Sequence, residues 1–202
     1  MNAPASDIVF TTSVKAKQRA QGSRAAYERY EHERGWETRI TPLLADFIGD
    51  QTSVFIATAN PDGQPYIQHR GGPRGFLHVL DEQTLAFADF SGNQQYITVG
   101  NLADNAKAQL FLMDYTHRQR VKVFGAARVV EDDPELVREV APPDYKARIE
   151  RVIVFTVKAW DANCSKHIPH LLPAEEVQAE LAMRDQRIAE LEAQLAELHH
   201  AA

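Results

Sequence analysis

The chain has 202 residues, 44% hydrophobic and 25% charged, which suits one globular domain with appendages. Its net charge of −6 is unevenly spread: residues 174–202 hold seven acidic and two basic side chains, and the remainder is close to neutral. Bulk nucleic-acid binding thereby gains no support. With no apolar run of ~18 residues, no membrane span is expected.

The N-terminal stretch "MNAPASDIVFTTSVKAKQ" carries its basic residues after a short apolar patch, the reverse of a secretory signal. The one cysteine, Cys164, excludes an internal disulfide and a CxxC metal site. A cytoplasmic protein without a metal site is the expectation.

In chain order, residues 13–35 read as one or two polar helices, with Gly35 as the C-terminal stop. In "TRITPLLADFIGD" Thr41 is a cap, Pro42 suits the first helical position, and Leu43, Leu44, Phe47 and Ile48 are read as one apolar face. From residue 53 the pattern turns to strands. "SVFIATA" ends at "NPDGQ", whose Asp62-Gly63 pair signals a hairpin into "YIQHR". "GFLHVL" and "TLAFADF" follow, separated by a turn.

The segment "SGNQQYITVGNLADNAK" reads as a polar loop and a short helix. "AQLFLMDY" and "RVKVFGAARVVE" are further strands, the second bent or bulged at Gly125. A small helix starts at Pro134, and "ARIERVIVFTVKAWD" is the last long strand.

Six or seven mainly antiparallel strands with one inserted helix suggest an α+β fold built as a small closed barrel. The expected organisation is an N-terminal helical segment at 1–50, a barrel at 51–172 and a C-terminal helix at 173–202. In that last helix Val177, Leu181, Arg184, Ile188, Leu191, Leu195 and Leu198 recur at spacings of four and three, an a/d heptad seam. It is read either as an amphipathic helix lying on its own barrel or as one strand of a two-stranded coil.

Four stretches hold side chains able to carry chemistry. In "QHRGGPRG" the glycines permit close backbone approach, and their N–H groups with Arg70 can hold an anion; Arg74 is read as solvated. In "DFSGNQQYITVGNLADN" the polar residues Ser91, Asn93, Gln94, Thr98 and Asn101 surround a strand-to-helix transition, where free N–H groups favour phosphate. In "HRQRVKVFG" Arg118, Arg120 and Lys122 alternate onto one strand face. In "AWDANCSKHIPH" Trp160, Asn163, Lys166 and His167 offer an aromatic and donors, and Cys164 is read as an inert thiol.

The order of "DGQP", "RGG", "GNQQYITVGNL", "FGAARVV" and "NC…HI" resembles the pyridoxamine 5'-phosphate oxidase-related FMN-binding family. The resemblance covers residues 54–130 and continues into "WDANCSKHIP". It implies a split β-barrel, a homodimer and an FMN (FAD less so) lying between subunits. The oxidase's Ser-Arg-Lys phosphate group is replaced here by "SGNQQYIT", with no arginine or lysine between Asp89 and Lys107. That departure shifts the positive charge to Arg70 and Arg120.

Carried onto this chain, the resemblance implies a cofactor-binding set of His69, Arg70, Gly71, Asp89, Asn93, Gln94, Thr98, Asn101, Arg120, Asn163, Lys166 and His167. No catalytic acid or base is named. The expected function is an FMN-dependent oxidoreductase with a small-molecule substrate or electron donor. The alternative is a non-catalytic flavin- or heme-binding module that acts as carrier, sensor or scaffold.

Overall fold

The computed structural model describes residues 3–162 and 165–200. A 3-10 turn at Ala5–Ile8, which no sequence pattern announced, precedes α1 (Thr12–Ala20) and α2 (Arg24–Glu33). The two helices are separated by Gly22, in the left-handed region at φ 76°. Gly35, also left-handed, ends α2 by donating its N–H to the Tyr30 carbonyl at 2.7 Å, the C-terminal stop expected of it. Buried Arg24 ties the N-terminal segment together through Glu28, Glu31 and Gln18, and Ser6 donates to Glu31.

Helix α3 (Pro42–Gly49) starts as its sequence dictates: the Thr41 hydroxyl accepts from the Leu44 N–H at 3.3 Å, and Pro42 stands at the first turn. Its buried face is Leu44 and Ile48, whereas Leu43 is 79% exposed. The expected face was thus too wide. Leu43 lies about 100° round the helix from Leu44, beyond the stripe that docks.

The strands are β1 (Ser53–Ala59), β2 (Pro65–Gly71), β3 (His78–Asp81), β4 (Thr84–Phe90), β5 (Lys107–Asp114), β6 (Gln119–Val130) and β7 (Ile149–Ala162). Between them lie α4 (Ile97–Asp104) and α5 (Pro134–Val140), and α6 (Ala174–His200) follows. The seven strands form one sheet in the order β2-β1-β5-β6-β7-β4-β3. This is the split β-barrel expected. It is not closed by hydrogen bonds, however: the ladder ends at β2 and β3 among the described residues. The chain between those edges, Gly72 to Leu77, turns at Pro73, which has no N–H to give to a ladder.

The β1–β2 hairpin closes as its Asp62-Gly63 pair requires, with Gly63 at φ 86° donating to the Asn60 carbonyl. β6 shifts register between Phe124 and Gly125 against β7, which is the bulge expected at that glycine. A Cβ on Gly125 would stand 2.0 Å from the Thr156 carbonyl oxygen. The core runs from Ile48 of α3 through Val54, Ile56, Leu110, Leu112 and Val123 to Phe155, and a smaller cluster packs Val140 against Ala86, Ala88 and Val152.

The chain divides into two compact units. The first, residues 1–113 and 120–164, contains the sheet and the N-terminal helices. The second comprises residues 114–119 and 165–202. In it the Thr116 hydroxyl donates to the Leu171 carbonyl, Asp114 accepts from the His117 backbone, and α6 buries no residue. No described helix is long and apolar enough to cross a membrane.

Candidate functional site

Side chains alternate across a strand, so Tyr66, Gln68 and Arg70 of β2 share one face while Ile67, His69 and Gly71 take the other. The first three line a cleft of about 160 Å³ in the barrel unit. Asp89 and Phe90 from β4, residues 92–99, and Glu150 and Arg151 from β7 complete it.

At its base Asp89 is buried, and both its oxygens are occupied. Arg70 Nε stands 2.7 Å from Oδ1, and Arg151 Nη1 donates to Oδ2 at 3.3 Å. Asp89 and Arg151 are also direct register partners of β4 and β7. Arg151 is held further by Glu150 and Glu131 and lies 5.2 Å from the centre of the Tyr96 ring. The Tyr66 hydroxyl donates to Gln68. The cleft thus has two guanidinium groups, fixed in place by carboxylates.

Its rim is the loop between β4 and α4. Gln94 and Tyr96 both take left-handed backbone, at φ 60° and 53°, uncommon for residues with a Cβ. Asn93 steadies the turn by accepting from the Gln95 N–H at 3.2 Å. Tyr96 occupies the N-cap position of α4, but no side chain caps the helix. Ile97, Thr98 and Val99, the first turn of α4, line the cleft. A helix start left open in this way offers N–H donors and a partial positive charge. The site is therefore suited to a small anion carrying several acceptor oxygens.

Five of the residues expected at the cofactor come together here: Arg70, Asp89, Asn93, Gln94 and Thr98. The others are not among the residues that line it. His69, on the opposite face of β2, packs edge-on against Phe55 at 5.5 Å. Asn101 is buried and donates to the Thr58 hydroxyl at 3.0 Å, so it fastens α4 to β1. Arg120 does not line the cleft; its Nε is buried without an acceptor among the described residues. Lys166 and His167 belong to the second unit, and Asn163 and Cys164 lie outside the described residues. Trp160 donates its indole N–H to the Arg39 carbonyl at 2.8 Å.

The bare backbone of "RGG" has a structural occupant. A Cβ at Gly72 would lie 2.6 Å from the Phe76 side chain, and one at Gly71 would lie 3.0 Å from the His69 ring. These glycines make room for the protein's own aromatic groups. Arg74 pairs with Asp50 at 2.7 Å, both exposed, as its solvated reading anticipated.

Tyr66, Gln68, Tyr96, Glu150 and Arg151 were not anticipated. Two of them were legible in principle, since counting back from Arg70 in steps of two reaches Gln68 and Tyr66.

The sequence model for pyridoxamine 5'-phosphate oxidase matches residues 40–177. No curated protein matches the chain. HupZ of Group A Streptococcus is 21% identical, with 66% of this chain and 99% of that one covered and a TM-score of 0.49. A candidate pyridoxamine 5'-phosphate oxidase of Lactobacillus delbrueckii is 22% identical, with 62% and 95% covered and a TM-score of 0.47. An FMN-binding protein of Syntrophomonas wolfei is 11% identical, with 77% and 99% covered and a TM-score of 0.47.

Proposed function

Since the chain belongs to the pyridoxamine 5'-phosphate oxidase family, we propose that it is an FMN-binding flavoprotein acting as an oxidoreductase on a small molecule. The cleft beside α4 is the seat of the cofactor's phosphate end. One observation carries this reading: the uncapped start of α4 opens onto the cleft that Arg70 and Arg151 line.

The donor set fits a phosphomonoester. Backbone N–H groups of the first turn of α4 supply hydrogen bonds, the Thr98 hydroxyl and the Asn93 and Gln94 amides surround them, and Arg70 supplies charge. Asp89 orients the two arginines while cancelling part of their charge, so the phosphate is held chiefly by directed donors.

A pocket that encloses a whole ligand of this size usually measures ~300–1,000 Å³. At about 160 Å³ the cleft suits the phosphate and ribityl end, and the ring needs a wall from outside it. We assign that wall to a second subunit, which makes the functional unit a homodimer. Bound flavin supplies two-electron transfer; this chain's residues bind and orient it.

The test is FMN titration of the purified protein, followed by flavin absorption and thermal unfolding. FMN at 100 times its Kd is expected to stabilise the fold by about 2.7 kcal/mol. Arg70→Ala is expected to weaken binding at least ten-fold, about 1.4 kcal/mol. A colourless protein whose unfolding FMN does not shift overturns the reading. Reduction of bound flavin by a nicotinamide nucleotide separates an oxidoreductase from a carrier.

A further inference from the structure

Helix α6 presents an exposed apolar stripe. Val177, Leu181, Ile188, Leu191, Leu195 and Leu198 are 39–68% exposed, and no residue of the helix is buried. The stripe runs about 30 Å at ~1.5 Å per residue. Such a length of exposed leucine on a helix of marginal intrinsic stability calls for a partner.

The spacing assigns Leu181, Ile188 and Leu195 to a positions, and Val177, Arg184, Leu191 and Leu198 to d positions. Flanking them, Glu180 and Arg187 occupy g positions, and Asp185 and Glu192 occupy e positions. We infer that α6 pairs with α6 of a second copy as a parallel, in-register two-stranded coiled coil, with Arg184 as the residue that sets its direction and register. This inference is independent of what the cleft binds.

Charge complementarity selects that arrangement. In a parallel pair each g residue faces the e residue of the next heptad on the other helix. Arg187 then meets the partner's Glu192, an attractive pair. Glu180 meets the partner's Asp185, a repulsive one, and Arg184 lies in the seam layer between these two carboxylates. Two guanidinium groups are thereby surrounded by four carboxylates. In the monomer Arg184 already reaches Glu180 at 2.6 Å, and its long stem lets the charge leave the seam.

Antiparallel pairing instead brings e residues against e residues. The three registers that keep the most apolar layers together set Asp185 against the partner's Asp185, Asp185 against the partner's Glu192, or Glu192 against the partner's Glu192. Each is repulsive, and none puts a seam cation between the acids. A basic partner is disfavoured too. Four of the seven acids, Glu175, Glu176, Glu190 and Glu197, fall at b and c positions that point away from the seam.

The test uses the full chain with Cys164→Ser and one new cysteine. Leu191→Cys places the thiol in a d layer, and Ala193→Cys places it on the outer f position. Under mild oxidation Leu191→Cys is expected to give at least ten-fold more disulfide-linked dimer than Ala193→Cys. Adding Arg184→Glu is expected to reduce that yield to the Ala193→Cys level, with helical circular dichroism and flavin absorption read on the same samples. Equal cross-linking at the two positions overturns the inference. So does a mixture of Leu181→Cys and Leu191→Cys chains that forms mostly the mixed disulfide, the product of antiparallel pairing.

Discussion

Asp89 concentrates more of the site's physics than any other residue. It is an acid buried between two arginines, so its removal strands cations in a poorly solvated place instead of merely deleting a contact. Breaking a buried pair from one side costs about 3–5 kcal/mol. The other carboxylates around Arg151 place Asp89→Ala near the lower end, about 3 kcal/mol. Urea unfolding measures this, and Asp89→Asn, which keeps the shape and one acceptor, should recover part of the loss.

His78 gives a second, pH-dependent prediction. Burial pushes its imidazole below the ordinary histidine value, an effect larger than the opposing pull of Glu139 and the Val140 backbone. The unfolded chain therefore binds the proton more readily than the folded one. Stability from this group is complete above the usual histidine pKa, ~6.5, and falls as pH drops through it. A His78→Gln variant should show a flatter loss of stability between about pH 7 and pH 5 in urea titrations.

At the level of elements, the readable features are those written in neighbouring residues. Thr41-Pro42, Asp62-Gly63 and Gly35 each specify a local geometry, and each is found. What eluded the sequence are the long-range fillings. Nothing in "RGG" says that Phe76 occupies the space above Gly72, and nothing in "SGNQQYIT" says that its helix starts uncapped beside an arginine pair from β2 and β7.

Gly125 is intermediate: a bulge was legible, but the cause was not. The strands approach so closely there that Thr156 stands where a side chain would go. Gly125→Ala must displace backbone, not a flexible tip, and overpacking of this kind costs about 1–3 kcal/mol. A lowered thermal midpoint with unchanged far-UV circular dichroism is the expected result. An unchanged midpoint would mean that β6 and β7 can slide apart at no cost.

For the molecule as a whole, the consequence lies in where the sheet is open. Among the described residues β2 pairs with β1 alone, and its other edge belongs to the split. The ion pair between Arg70 of β2 and Asp89 of β4 joins two strands five places apart in the hydrogen-bonded order. One side chain therefore serves both as a wall of the cleft and as a clasp across the barrel's gap. The family pattern pointed to Arg70 as a cation for the cofactor, but its tie to a buried acid follows only from the way the sheet curls.

Local opening free energies in a fold track how few contacts hold each segment. Cutting the clasp should loosen β2, whose Arg70 is the register partner of Val54 on β1, without unfolding the core at Leu110, Val123 and Phe155 on β5, β6 and β7. In Arg70→Ala, amide hydrogen exchange is expected to accelerate about ten-fold or more in β2, with the centres of β6 and β7 unchanged. Added FMN should slow exchange in the first turn of α4 in the parent and do so far less in the variant. Uniform acceleration across all seven strands would instead show that Arg70 supports the global fold and is no local clasp.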